Sequence, residues 1–382
     1  MKELSEIRKE INEIDDQLVK LFVRRLDVVK QVAEAKRASG SPVNDPARER
    51  EILSTVADKV GPEYENGALL FFMTLFNISK ARQRETLGAG SQLEKEINEA
   101  REKTATKFPT RSLVACQGLE GAYSQQAACR LFTVPTILYF NSFEDVFSAV
   151  EKGLCPYGVL PIENSSAGSV SAVYDLMVKH DFKIVRSTRL RIRHVLLARH
   201  GTKLEDIRTV ASHPQALAQC SDFIEKHSAW KTHAMSNTAV AAQTLAKSGA
   251  PDMAVIASRE TADLYGLDII AEHISNVEMN YTRFICISKN LEIYPDAKKM
   301  SIMLTLQHRP GVLNNVMAKF AAIHVNLTKL ESRPIPGMDF EFRFTLDLEA
   351  SPSDPHIVRL LAELASDPDI EQFEFLGAFS EC

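Results

Sequence analysis

PYGVLPIENSSAGSV, residues 156–170, runs from an apolar stretch holding Val159, Leu160 and Ile162 straight into Glu163, Asn164, Ser165 and Ser166, then Gly168. The apolar part predicts a buried strand. The polar part predicts a strand end facing a cleft, where open α/β sheets hold their ligands. Structural duties fit the same residues: Asn164 and Ser165 can cap the next helix, and Glu163 can close an ion pair. The surroundings decide.

From Ser112 onward, short β-like runs alternate with helical ones: residues 113–116, 137–140, 158–162, 184–188, 195–198, 210–212 and 253–257. That texture predicts an α/β domain over 112–290. A further block covers 299–382. Its residues 340–349 alternate apolar and polar, and its predicted order, β-α-β-β-α-β, is ferredoxin-like. Upstream, Ile7, Ile11, Ile14, Leu18, Leu21, Arg25, Val28, Val32 and Ala35 keep an unbroken four-three spacing, which predicts one helix over 4–38, about 50 Å long. Ser39-Gly40-Ser41-Pro42 ends it. Asp45 then reads as a cap with Pro46 at the first helical position, a second helix runs towards Gly61-Pro62, and a third covers about 64–87. Two short helices cannot cover so long a seam, so the domain over 1–88 is expected to dimerise. Residues 89–111 read as a linker. Eight of the fourteen residues from Glu94 to Lys107 are charged, which predicts a solvated helix there.

At 382 residues the chain has room for two or three domains, and 45% hydrophobic with 25% charged residues is an ordinary globular mixture. A net charge of −5 argues against nucleic acid as the main partner. Six scattered cysteines without a C-x-x-C spacing predict a reducing compartment and no structural zinc. The start, MKELSEIRKE, lacks the apolar stretch of a secretion signal, and no apolar run reaches membrane-spanning length. The expectation is a cytoplasmic protein. No metal-ligand cluster is apparent, and Gly118-x-x-Gly121 is too sparse for a dinucleotide fingerprint, so no cofactor is expected.

Arg25 occupies a position where the seam calls for Leu or Val. Alone, it would read as an ion-pair or register residue. Lys36 lies eleven residues on, on the same stripe, while Arg48 and Glu49 open the second helix and Ser79 and Gln83 stand one turn apart on the third. Such convergence suggests a site for a polyanion. Arg8 lies on another face, from which it could serve a partner's site.

Residues 4–86 resemble the all-helical chorismate mutase domain, an intertwined dimer. The matching residues are Arg8, Arg25, Lys36, Asp45, Arg48, Glu49, Ser79 and Gln83. The resemblance implies that Arg8 crosses to the other subunit, that Arg8, Arg25 and Arg48 hold carboxylates, and that Lys36 and Gln83 donate to an ether oxygen. Glu49 would accept from a hydroxyl. Residues 112–288 resemble prephenate dehydratase through Gly118-Leu-Glu-Gly-Ala-Tyr-Ser124, Pro161-Ile-Glu-Asn-Ser165, Ser212-His-Pro-Gln215 and Asn280-Tyr-Thr-Arg-Phe284. Leu119 stands where Pro is usual and Ala122 where Thr is common. This implies two α/β subdomains hinged about a cleft, in the manner of periplasmic binding proteins. Thr282 would act as the donor to the leaving hydroxide, relaying from Glu163, with Asn164, Ser165, Ser212 and Gln219 orienting the substrate and Arg283 meeting a carboxylate. His213 is expected to pack or cap rather than titrate. Residues 299–380 resemble an ACT domain through Gly311-Val312-Leu313, Asn326 and Glu331-Ser332-Arg333-Pro334, with Val312 replacing the usual Ala. That implies a site for L-phenylalanine at a domain interface. The implied ligands are thus chorismate, prephenate and L-phenylalanine, and the assembly a homodimer or larger. A non-catalytic sensor, built from a periplasmic-binding-like domain, a helical dimeriser and an ACT module, is the rival reading.

Overall fold

A computed structural model describes residues 2–335, 337–338 and 341–382. The four-three spacing forms one helix, α1 (Leu4–Ser39), closed by Gly40 in the left-handed region at φ 67°. Asp45 caps α2 (Pro46–Val60) by accepting the Arg48 amide at 3.0 Å, with Pro46 first in the helix. The third helix, α3 (Glu65–Thr86), buries Leu75, Phe76, Ser79 and Gln83. Of α1, only Val29 and Ala33 are buried, and its seam stands open, from 39% exposed at Val32 to 60% at Leu21.

The charged segment forms α4 (Ser91–Lys103), and here the expectation of a solvated helix needs correcting. Ile97 and Ala100 are buried in the core of the C-terminal block, with Leu93 packed against it. Counting charges hid an apolar stripe of three residues at helical spacing, enough to dock one face while the rest stays wet.

The α/β region opens with β1 (Arg111–Gln117), α5 (Tyr123–Leu131), β2 (Val134–Phe140), α6 (Phe143–Glu151), β3 (Tyr157–Asn164), β4 (Gly168–Ser169), α7 (Ser171–His180) and β5 (Lys183–Arg191). The chain then crosses to a second subdomain: β6 (Val195–Ala198), β7 (Thr209–Ser212), α8 (Pro214–Gln219), α9 (Ser221–Glu225), β8 (Lys231–Ala234), α10 (Thr238–Ser248), β9 (Met253–Ala257), α11 (Arg259–Tyr265) and β10 (Asp268–Ala271). It returns through β11 (Tyr281–Ser288), which inserts antiparallel between β3 and β5. Two crossings between two sheets are what a hinged two-subdomain fold requires.

The C-terminal block follows the expected order: β12 (Lys299–Leu306), α12 (Val312–Ala322), β13 (Asn326–Pro334), β14 (Phe342–Glu349), α13 (Pro355–Ala365) and β15 (Ile370–Glu381). Phe340, expected to begin the alternating strand, lies outside the described residues. The strands are ordered β13-β14-β12-β15, and β15 continues into the first subdomain by pairing in parallel with β5, Ser380 opposite Arg186. One sheet therefore serves two units. The helical domain is tied to the same block, since Arg84 on α3 pairs with Asp367 at 3.1 Å and Lys319 holds that carboxylate at 2.9 Å. Among the described residues no helix is long and apolar enough to cross a membrane.

Gly377 is where β15 presses on β5. At φ 138° a Cβ there would lie 2.2 Å from the Ile184 carbonyl oxygen, a backbone group that cannot swing aside. Gly377→Ala is expected to lower stability by about 1–3 kcal/mol, the usual cost of forcing atoms into a packed site. A thermal melt followed by circular dichroism measures it, and an unchanged midpoint would mean that the seam between the sheets opens freely.

Candidate functional site

In the helical domain, Arg25 reaches from α1 to α3 and its Nη1 donates to Ser79 Oγ, with Cζ 6.0 Å from the Phe76 ring centre. Burial lowers the Arg25 pKa, and no neighbouring carboxylate acts against that shift. Gln83, one turn below Ser79, is buried, and its Oε1 meets no donor among the described residues. A cation without an anion and a buried acceptor without a donor mark a place for a polar anionic guest. Lys36 Nζ donates to the Val43 carbonyl at 2.7 Å, which ties α1 to the loop before α2. Glu49 pairs with Lys80 at 3.1 Å, half-buried. Lys80 escaped the sequence reading, because nothing in its spacing sets it apart from any exposed lysine.

Three residues do not join this group. Arg48 turns outward to Glu51 at 2.7 Å, so within one chain it is not aimed at the Arg25 cluster as expected. Asp45 is engaged as the α2 cap. Arg8 is exposed on the open seam helix.

In the α/β region, Asn164 ends β3 and Thr282 is the second residue of β11, directly opposite in register. Asn164 Nδ2 donates to Thr282 Oγ1 at 2.9 Å and to Asn280 Oδ1 at 2.7 Å, while its Oδ1 accepts the amides of Ser166 and Ala167. Asn280 Nδ2 donates to Gln219 Oε1 at 3.1 Å, and that oxygen is 2.9 Å from His194 Nε2. The result is a polar chain from Thr282 in the first subdomain to Gln219 in the second. Accepting from Asn164 leaves the Thr282 O–H as a donor. Burial, the larger effect, lowers the His194 pKa while the bond to Gln219 raises it; the net shift is downward and favours the neutral ring. A neutral ring donates to Gln219 through Nε2–H. His194 was not singled out from sequence, and Asn280 was read only as part of a motif. Their value lies in a contact between segments remote in sequence.

A cavity of about 420 Å³ opens at the His194 end of this chain, lined also by Tyr123, Arg191, Arg193 and Arg259. The Gly118–Ser124 loop closes against the second subdomain: Tyr265 Oη donates to the Glu120 carbonyl at 2.8 Å, and a Cβ on Gly121 would meet Thr261 at 2.8 Å. Ser165 ties its turn to the hinge strand by donating to the Met279 carbonyl and accepting the Tyr281 amide. Ser212 is fully buried and donates to the Ile256 carbonyl at 2.6 Å, so it bridges two strands instead of facing the cleft. His213 caps α8 by accepting the Gln215 amide.

Glu163 and Arg283 depart most from expectation. Each is the strand neighbour of a cleft residue, so each points from the opposite face of the sheet. There Arg283 pairs with Glu163 at 3.2 Å and with Asp347 of β14 at 2.6 Å. Glu163 and Arg283 are thus engaged with the C-terminal block on that face, whereas the relay to Thr282 and a substrate carboxylate were expected to hold them.

On the C-terminal block, Gly311 precedes α12 at φ 86°, Val312 is buried in the core, and Leu313 packs against it. Asn326 donates to Glu349 at 3.0 Å. Glu331 and Arg333 face the first subdomain, where Glu331 meets Lys329 and Ser169, and Arg333 reaches the Ser171 carbonyl at 3.3 Å. Ser332 and Pro334 are exposed. Val312 thus packs inward where a pocket lining was expected. Among the described residues no group of His, Cys, Asp and Glu side chains could hold a metal ion.

Residues 114–292 match the family model for prephenate dehydratase, and residues 7–84 that for chorismate mutase type II. The bifunctional chorismate mutase/prephenate dehydratase of Escherichia coli strain K12 is 31% identical over 365 residues, 94% of this chain and 92% of that protein. The chloroplastic arogenate dehydratase/prephenate dehydratase 2 of Arabidopsis thaliana is 39% identical over 272 residues, 67% of this chain and 71% of that one. Prephenate dehydratase from Arthrobacter aurescens, solved in complex with L-Phe, superposes with a TM-score of 0.63 at 28% identity, covering 70% of this chain and 89% of that one. With both catalytic modules present in order on one polypeptide, this chain belongs to the bifunctional chorismate mutase/prephenate dehydratase family.

Proposed function

We propose that the helical domain converts chorismate to prephenate, that the α/β domain converts prephenate to phenylpyruvate, and that L-phenylalanine acts on the C-terminal block, an ACT domain, as feedback inhibitor. The reading places the protein in the cytoplasm, on the route to phenylalanine. The observation that carries it is the Asn164–Thr282 hydrogen bond at the head of a polar chain joining both subdomains.

The first reaction is a pericyclic shift in which one C–O bond breaks as one C–C bond forms, with no nucleophile and no proton transfer. The protein has only to hold the diaxial conformer and stabilise charge growing on the ether oxygen. Arg25, held by Ser79, supplies a preset guanidinium for a carboxylate, and Gln83 and Lys36 lie on the helices around it. Arg8 enters from a second subunit. The open apolar seam of α1 supports that dimer, since among the described residues no other element covers it.

In the second reaction the ring carboxylate leaves as CO2 and the electron pair of the broken C–C bond drives out the 4-hydroxyl as hydroxide, which takes a proton from solvent to become water. Hydroxide is a poor leaving group, so a positioned donor lowers the barrier. Thr282 is that donor. Asn164 fixes its orientation, and Asn280 and Gln219 extend the hydrogen-bonded array to the second subdomain, so subdomain closure and donor placement are linked. The cavity beside His194 offers arginines for the carboxylates.

Following the ultraviolet absorbance of chorismate, then phenylpyruvate in alkali, tests both activities and separates an enzyme from a ligand sensor. Arg25→Lys is expected to lose the bidentate fork and at least about tenfold in mutase kcat/KM, leaving dehydration intact. Thr282→Val is expected to lose about 100-fold or more in dehydratase kcat, with mutase intact. Leu18→Asp, on the open seam, is expected to yield monomers in sizing chromatography and to abolish mutase turnover with them. A monomeric variant with full mutase turnover would remove the shared site.

A further inference from the structure

Behind the paired ends of β3 and β11 lies a cluster of charges that the reactions above do not use. Glu163 and Arg283 stand opposite each other in register, one residue from Asn164 and Thr282 respectively, on the face turned away from the cleft. Two strands of the C-terminal block complete the cluster. Asp347 of β14, 2% exposed, binds Arg283 at 2.6 Å and also accepts from Ser301. Lys329 of β13, 8% exposed, lies 3.6 Å from Glu163 and 3.0 Å from Glu331, and its Nζ sits 4.9 Å from the Tyr174 ring centre. It also donates to Ser169 Oγ at 2.5 Å, and Ser169 pairs with Glu163 across the short β4 strand. The turn that carries Asn164 is thereby gripped from behind along both of its arms.

We propose that Asp347 and Lys329 are positioning residues for the dehydration step, acting through Arg283 and Glu163 to hold Thr282 and Asn164 in register. The proposal rests on reading Thr282 as the donor. Its physical basis is that buried charges tolerate little displacement: Arg283, Asp347 and Lys329 are desolvated, so a shift of one leaves another without compensation, while Glu163, half-buried, forms the open edge of the cluster. Arg283 and Thr282 share a peptide bond, as do Glu163 and Asn164, so the geometry of the charged face fixes that of the cleft face. The register between β3 and β11 shifts just after Arg283. Backbone pairing resumes on the far side of that irregularity, where Thr282 and Arg283 face Asn164 and Glu163 on one side and Leu190 and Arg189 on the other, and the cluster adds a side-chain grip to this short run of ladder. It follows that the C-terminal block is part of the dehydratase machinery. A ligand that moves β13 reaches Thr282 through Lys329 and Glu163, without touching the cleft.

Asp347→Asn keeps the shape and removes the charge. Lys329→Met keeps the packing over Tyr174 and removes the ammonium, and Lys329→Arg restores a cation. The measurements are dehydratase kcat and KM, mutase turnover of the same full-length samples, and the thermal midpoint. The expected result is a fall of at least tenfold in dehydratase kcat for Asp347→Asn and Lys329→Met, with KM within about threefold of the parent, mutase turnover unchanged, and recovery towards the parent rate in Lys329→Arg. Parent-like kcat in both charge-removing variants would overturn the proposal. So would a loss of mutase and dehydratase together with a collapsed thermal midpoint, which is the signature of a purely structural cluster. Absence of dehydration in the unaltered protein, or full turnover in Thr282→Val, would count instead against the assignment of the reaction itself.

Discussion

Successive side chains on a strand leave opposite faces of the sheet, and at the ends of β3 and β11 this constraint sorts neutral polarity from charge. Asn164 and Thr282 take the cleft face, with Glu163 and Arg283 on the other. Neither face is free to be rearranged alone, because one backbone carries both. The two-subdomain cleft, the docking of the C-terminal strands and the orientation of a hydroxyl donor all depend on that single pairing.

The joined sheet explains why the charges can be kept there. A solvent-facing Arg283 would gain little from Asp347, since exposed ion pairs contribute about 0–1 kcal/mol. Covered by β13 and β14, the pair is desolvated, and breaking it by removing one partner costs about 3–5 kcal/mol. The parallel contact of β15 with β5 is what brings those strands over this spot. Burial of charge here is weak evidence of a stability gain, and better understood as a means of fixing geometry.

Much of this was legible from local chemistry. Asp45 followed by Pro46, the Gly40 stop and the seam of α1 are signals whose causes lie within a few residues, and the helices begin and end where those signals stand. His213 as a cap and the β-α-β-β-α-β order belong to the same class. What escaped was non-local or two-sided. Lys80, Asn280 and His194 acquire meaning only through partners on other elements. The roles expected of Glu163 and Arg283 ignored strand alternation, although Asn164 and Thr282 stand beside them in the sequence and a period of two places each pair on opposite faces. Arg48 is the local exception: Glu51, one turn on along the same helix, is the partner that draws it outward. For α4, seven charges outweighed Leu93, Ile97 and Ala100, yet three apolar side chains sufficed to dock it.

The docking of α4 also limits how far the polypeptide is modular. Residues 89–111 have the composition of a tether, and severing the chain there would seem to release two autonomous halves. Ile97, however, is wholly enclosed by the C-terminal block, and a Cβ on Gly90 would collide with the Ala362 carbonyl oxygen at 2.1 Å. A fragment cut after α4 would leave a hole where Ile97 sat. One cut before α4 would retain that plug while forfeiting the Arg84–Asp367 clasp. The fusion of the two enzymes is therefore more than covalent: the segment between them belongs structurally to the far end of the chain.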